Sequence, residues 1–197
     1  MPEGEEDRTT GYRMAFQFNR SLFNVLVRYL DPQPGDSILD VGCSRGFYVR
    51  AVEAYGADVT GIDSSEASVS QAVSPHVELG DATNLRFANG TFDKVFSLHT
   101  IEHVPEPGAL LSEIGRVLKP GGMAIIVYPW ELFRGMQAIG AAIRLYRNPF
   151  LAGQVHLHRL TPSRFRTLLA GTMLAHEHSE FVPAFGLQFM TALTREP

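Results

Sequence analysis

A single cysteine, Cys43, in 197 residues leaves no internal disulfide and no cysteine cluster for zinc or iron–sulfur. No run of about 18 consecutive apolar residues occurs, so no membrane-spanning helix is expected. The opening stretch, MPEGEEDRTT, lacks the basic-then-apolar order of a secretory signal. It reads as a short acidic tail, and a cytoplasmic setting is the expectation. Internal repeats and low-complexity stretches are missing too, which at this length favours one domain. What is present is ordinary for a globular protein, 45% hydrophobic and 19% charged.

Acidic residues are scarce in one segment. Residues 1–130 carry 17 acidic and 10 basic side chains. Residues 131–171 carry Glu131 alone against Arg134, Arg144, Arg147, Arg159, Arg164 and Arg166. The plain reading is a solvated helix face. The sharper one is attraction of an anionic substrate, or weak contact with a membrane surface. Without interleaved aromatic platforms, nucleic acid is not expected as a partner.

Along the chain, strands and helices alternate. Tyr12–Leu30 is predicted as a helix with an apolar stripe of Phe16, Phe23, Leu26, Val27 and Leu30. DPQPGD ends it, since proline cannot continue a helix and Gly35 marks a turn. Five strands follow, Ser37–Val41, Ala57–Ile62, His76–Leu79, Phe92–Leu98 and Met123–Tyr128. Helices are expected over Phe47–Tyr55, Glu66–Val73 and Pro107–Leu118. That alternation makes a parallel sheet with helices on both faces, and near-continuous apolar strands suit it. After Pro129, Leu132, Met136, Ile139, Ile143 and Tyr146 fall at 4-3-4-3 spacing, predicting an amphipathic helix over Trp130–Arg147. Thr161 and Pro162 read as the cap and first residue of another helix. Thr172–Phe181 and Phe185–Thr194 lie close enough to pair as a hairpin.

ILDVGCSRGFYV carries a glycine turn after the first strand. A dinucleotide fingerprint would read G-x-G-x-x-G, its middle glycine admitting a pyrophosphate to the backbone. Ser44 stands in that place, so the nucleotide reading fails or the ligand carries no pyrophosphate. In an open parallel sheet, ligands lie beyond the carboxyl ends of the strands. That rule singles out Asp40, Gly42, Asp63, Asp81 and the segment after Leu98. Asp63 ends the second strand, where its carboxylate can accept two hydrogen bonds from a vicinal diol. Such an aspartate is often only a helix cap, and Ser64 or Ser65 could equally fill that role. Asp40 suits a cationic amino group, and Asp81 an exocyclic amine such as adenine offers. Ribose, adenine, ammonium and no pyrophosphate together describe S-adenosylmethionine.

LDVGCSRG, VTGIDSSEASV, ELGDATNLRFANGTFDKVFSLHTIEHVPEP and LSEIGRVLKPGGMAIIVYP follow one another over roughly residues 36–129. In that order they resemble the class I S-adenosylmethionine-dependent methyltransferases. The resemblance implies a doubly wound, Rossmann-like α/β fold with seven strands in the order 3-2-1-4-5-7-6, the last antiparallel. It also implies S-adenosylmethionine as cofactor and S-adenosylhomocysteine as product. Carried onto this sequence, Gly42 and Gly46, with Cys43 and Ser44 between them, form the turn beneath the methionine moiety. Asp40 lies near its amino group, Asp63 and Ser64 at the ribose, Asp81 and Ala82 at adenine, and His99 near the sulfonium. Ser44 departs from the family's D-x-G-x-G-x-G, and a serine there needs an acceptable backbone angle or mild strain. Cys43 reads as a small packing residue.

Methyl transfer requires the protein to align a nucleophile, exclude water and, for a hydroxyl, remove a proton. Histidine suits that last task near neutral pH. His99, His103 and His158 are the candidate catalytic residues, and His156 faces the opposite side of the same extended run as His158. His99, Glu102 and His103 share the H-x-x-E-H spacing of one class of zinc peptidases, but there it lies on a helix. Ubiquinone-type O-methyltransferases, some of which bind a divalent ion here, resemble the chain at Glu102 and His103. His99 replaces their first glutamate, and no metal is assigned. The expected reaction is methyl transfer to a small-molecule acceptor, an oxygen of an amphiphilic or anionic metabolite. The alternatives are a cofactor-binding protein without catalysis and a protein side-chain methyltransferase. The organisation expected is an N-terminal tail and helix (1–34), a cofactor core (35–129), an inserted acceptor or lid region (130–160) and a C-terminal helix and hairpin (161–197). The inserted stripe is either core or a lid, with Arg134, Arg144 or Arg147 meeting a negative group on the acceptor.

Overall fold

Short apolar runs closed by aspartate or glycine build the centre of the molecule, and the computed structural model describes residues 18–183 and 186–197. The strands are β1 (Ser37–Val41), β2 (Asp58–Asp63), β3 (Val77–Leu79), β4 (Phe92–Leu98), β5 (Leu118–Pro129), β6 (Leu174–Val182) and β7 (Gln188–Arg195). They form one sheet in the order 3-2-1-4-5-7-6. The first five run parallel, and β7 lies antiparallel between β5 and β6. This is the doubly wound α/β architecture the resemblance implied.

The helices are α1 (Arg20–Leu30), α2 (Phe47–Glu53), α3 (Glu66–Val69), α4 (Pro107–Val117), α5 (Ile139–Tyr146), α6 (Ala152–Val155) and α7 (Pro162–Leu168). Alternation along the strands sorts side chains to two faces. Ile38, Phe96, Ile125 and Val127 pack with Leu22, Leu26 and Leu30 of α1 and with Val49 and Val52 of α2. Leu39, Val95, Ala124 and Ile126 pack on the other side with Leu110, Leu111 and Ile114 of α4 and Phe165 of α7. Each is buried on a face without water, so truncating one of these leucines to alanine costs about 2–5 kcal/mol. Among the described residues no helix is long and apolar enough to cross a membrane.

Several boundaries differ from expectation. α1 starts at Arg20 because the Asn19 side chain accepts the Leu22 amide as a cap. Its buried face is Leu22, Leu26 and Leu30, with Phe23 and Val27 on its flank; the predicted stretch from Tyr12, Phe16 included, lies outside the described residues. β5 begins at Leu118, which pairs with Phe92 across an irregularity in the ladder, so KPGG belongs to the strand rather than to a loop. The predicted start of the last strand, Phe185, lies outside the described residues. Thr161 caps α7 as expected, accepting from the Arg164 amide.

The largest departure is the inserted segment. It is four short pieces, with 3₁₀ turns at Met136–Ala138 and Pro149–Leu151 around α5 and α6. Its small core is Ala138, Ala142, Ala152 and Val155, while Leu132 and Ile143 of the predicted stripe are exposed. Close approach explains the choice of small residues. A β-carbon on Gly135 would lie 2.5 Å from the Ala152 backbone.

Candidate functional site

A cavity of about 720 Å³ opens at the carboxyl ends of β1, β2 and β4, within the range of roughly 300–1,000 Å³ usual for small-molecule sites. Topology alone puts it there, because β1 is followed outward by β2 on one side and β4 on the other. Of the cofactor residues expected from sequence, Asp40, Gly42, Cys43, Ser44, Asp63, Ser64, Asp81, Ala82 and His99 line it. Gly46 does not. Its part is behind the turn, where a β-carbon would sit 2.4 Å from Val77 Cγ2. Gly42 likewise admits a neighbour, since its β-carbon would collide with Thr100 Oγ1 at 2.0 Å.

Asp40 is buried at the end of β1. Burial raises its pKa well above the usual carboxylate value, and the nearby Asp63 charge adds to the rise. A cationic ligand group would relieve both effects, so this floor fits an ammonium-bearing cofactor. Asp63 ties two turns together. Its Oδ2 accepts the Ser44 amide at 2.8 Å, and its Oδ1 accepts the Ser65 amide at 2.9 Å. Ser65, not Asp63, is the cap of α3. Asp81 is exposed, and its Oδ1 accepts from the Thr83 amide and hydroxyl, which together lower its pKa. The Cys43 thiol is buried against Gly61, and burial pushes its pKa up, so it packs rather than reacts.

Ser44 adopts a left-handed backbone, φ 51°, at the position where the family pattern has glycine. Four described non-glycine residues have positive φ, and two of them, Ser44 and His99, line the cavity. Strain of this kind collects at ligand sites when surrounding structure enforces it.

The histidines separate into distinct roles. His99 Nε2 lies 2.6 Å from Gln188 Oε1, and its Nδ1 lies 3.3 Å from Glu102 Oε1. Both ring nitrogens are engaged, which anchors the ring in the cavity wall. His103 also lines the cavity and donates from Nδ1 to the Val155 carbonyl at 2.8 Å. Desolvation lowers its pKa against the pull of Glu102. His158 is not among the lining residues, and its Nε2 donates to the Val104 carbonyl at 2.9 Å. Its backbone alternates with His156 as expected, but it is His156 that is buried, donating from Nδ1 to Glu131 at 2.8 Å.

Glu102 is buried among these rings. Burial alone would raise its carboxyl, but the charges of His103 and His99 and the His99 hydrogen bond hold it down to about 2. Its Oε2 has no hydrogen-bond partner among the described residues. Glu102, His103 and His156 bring one ligand-type atom each within 4.8 Å of one another, a donor set suited to a divalent ion. The group uses His156 where the sequence comparison had pointed to His99. Glu131, Gln188 and Thr100 were not singled out by sequence as site or wall residues, and His156 was considered only as the residue facing away from His158. Gln188 meets His99, Thr100 meets the Val41 carbonyl and Glu131 meets His156, each across a long stretch of chain, so no local pattern marks these contacts.

On the far side the cavity meets Leu145, Tyr146, Gln154 and Val155 of the inserted segment. Of the predicted stripe only Tyr146 reaches it, and Arg134, Arg144 and Arg147 are not in the lining.

Sheet order and strand-end cavity together define a Rossmann-like α/β ligand-binding domain of the methyltransferase type. Residues 39–126 match the family described as methyltransferase domain, in line with the resemblance to the class I S-adenosylmethionine-dependent methyltransferases. S-adenosylmethionine is the cofactor of that class. Over 101 residues the chain is 37% identical to a ubiquinone biosynthesis O-methyltransferase of Pseudomonas paraeruginosa, covering 47% of this chain and 44% of that protein. Over 106 residues it is 37% identical to the 2-methyl-6-phytyl-1,4-hydroquinone methyltransferase of Synechocystis sp., covering 50% of this chain and 33% of that one. A solved S-adenosylmethionine-dependent methyltransferase from Mesorhizobium loti shares the fold, with a TM-score of 0.72 at 22% identity over 87% of this chain and 96% of that one. The chain spans less than half the length of the curated relatives it matches.

Proposed function

We propose that the chain transfers the methyl group of S-adenosylmethionine to an oxygen of a small amphiphilic or anionic acceptor. One observation carries this reading, the buried Asp40 carboxyl facing the cavity beside Asp63, its pKa raised by burial and by the Asp63 charge. The bound cofactor supplies a methyl carbon activated by a sulfonium leaving group. Asp40 receives the ammonium. Asp63 keeps lone pairs beyond those given to Ser44 and Ser65, and these accept from the ribose hydroxyls. Asp81 turns its second oxygen to the adenine amine, with Ala82 beside it. The inserted region, 130–160, closes the acceptor side through Tyr146 and Val155 and keeps water from the reacting atoms.

His103 is the base in this reading. With Nδ1 fixed as donor to Val155, Nε2 is the proton-accepting nitrogen, and burial keeps the ring neutral at neutral pH. Nε2 lies 3.7 Å from the Glu102 carboxylate, which stabilises the imidazolium once a proton arrives. The phytyl hydroquinone in one relative's name, and ubiquinone biosynthesis in another's, support an amphiphilic acceptor.

The test compares melting temperatures with S-adenosylhomocysteine and with NAD. The first should stabilise the chain by mass action and the second should not. Asp63→Ala should weaken the S-adenosylhomocysteine complex by about 1–3 kcal/mol, the cost of leaving buried hydrogen-bonding groups unpaired. Equal stabilisation by NAD, or an affinity indifferent to Asp63→Ala, sinks the proposal.

A further inference from the structure

We infer that the outer face of residues 132–150 docks on an anionic lipid bilayer. From Leu132 to His176 the chain has no aspartate or glutamate, yet all six arginines of that region fall there. In its first part, large apolar side chains stand in solvent. Leu132 is 64% exposed, Phe133 54%, Ile143 51% and Phe150 92%. On α5 the exposed positions are Gly140, Ile143 and Arg144, whose spacing puts them on one face, while Ala142 is buried; Arg147, exposed as well, caps the end of the helix. α5 packs on the Pro149–Leu151 turn, which carries Phe150.

Exposed apolar rings between arginines, with no acid to answer them, favour one occupant. A second copy of the chain would bring this face against its own positive charge. A polyanion such as nucleic acid would take the arginines but give Leu132 and Ile143 nothing apolar to enter. A bilayer with anionic headgroups meets both needs, with arginines at the phosphates and apolar side chains at the acyl boundary. Position adds to the case. Leu145, Tyr146, Gln154 and Val155 of the same segment line the cavity, so one segment carries both the docking face and part of the cavity wall. The inference rests on charge and exposure and stands apart from the methyl-transfer reading.

The test is co-sedimentation of the full chain with vesicles of phosphatidylcholine alone, or of about three parts phosphatidylcholine to one part phosphatidylglycerol. Pelleting with the mixed vesicles only is expected. Arg144→Gln with Arg147→Gln should lower the partition coefficient about 25-fold, at roughly fivefold per arginine. Phe133→Ser with Phe150→Ser should lower it by about tenfold or more. Both double variants should keep the parent's melting temperature and its shift with S-adenosylhomocysteine. No pelleting of the parent overturns the inference. So does binding that ignores the phenylalanine changes, the signature of a polyanion site, or a dimer seen by light scattering that those changes dissolve. An absent S-adenosylhomocysteine shift in the parent chain would sink the catalytic proposal and leave this one standing.

Discussion

Replacing Ser44 tests whether the glycine turn stores strain. Its φ of 51° costs an L-residue about 1–2 kcal/mol in the left-handed region. Ser44→Gly removes that cost but loosens the unfolded chain, which takes back about 0.4–1 kcal/mol. Ser44 donates its backbone amide to Asp63, and the substitution leaves that bond in place. A net gain of about 0.5–1 kcal/mol follows, which for a chain of this size raises the melting temperature by about 1–4 °C. Ser44→Val goes the other way, because a β-branched residue tolerates this region worst. It should lose about 1–2 kcal/mol beyond serine. Urea midpoints followed by circular dichroism, read with the slope of each transition, measure both changes. A valine variant as stable as the glycine variant refutes the strain argument outright.

Acid should unfold the protein through Glu102. Its carboxyl, ordinarily near 4.5, is held to about 2 in the fold, so the stability it contributes is complete above pH 4.5 and drains away from there to about pH 2. Glu102→Gln should flatten that limb of a plot of urea midpoint against pH, and an unchanged limb contradicts the assignment. Gly46→Ala should cost about 2–3 kcal/mol, since its β-carbon meets Val77 Cγ2 at 2.4 Å on a backbone with φ of +74°. Adding Val77→Ala should recover the steric part alone; a double variant no better than the single in the same urea assay would mean the contact is not the cause.

Much of the sheet was legible because burial on both faces writes itself plainly. SILDV and FDKVFSL are bounded by polar or glycine-rich turns and became β1 and β4 residue for residue. The strand-end rule picks out Asp40, Asp63 and Asp81, and all three line one cavity. The inserted segment was illegible for a physical reason. Periodicity weights large side chains, and here alanines fill the interior because Gly135 lets two backbones nearly touch. Leu132 and Ile143, the strongest members of the apparent stripe, ended outside. Histidine roles were hidden for another reason, since each depends on a partner remote in sequence. His99 meets Gln188 and His156 meets Glu131, and those partners decide which ring nitrogen holds a proton.

The Glu131 carboxylate takes the amides of Gly135 and Gln137 and the ring of His156, while its own carbonyl takes the Arg159 guanidinium. One residue thus clasps both the beginning and the end of the inserted segment. A stretch closed on itself in this way behaves as a cartridge seated on the sheet, its exposed positions free to drift so long as the clasp and the small residues around Gly135 hold. If the inserted segment forms the acceptor wall and the docking face as proposed, acceptor preference and surface attachment would be exchanged together by moving 131–159 between related sheets, while the cofactor half stays as it is.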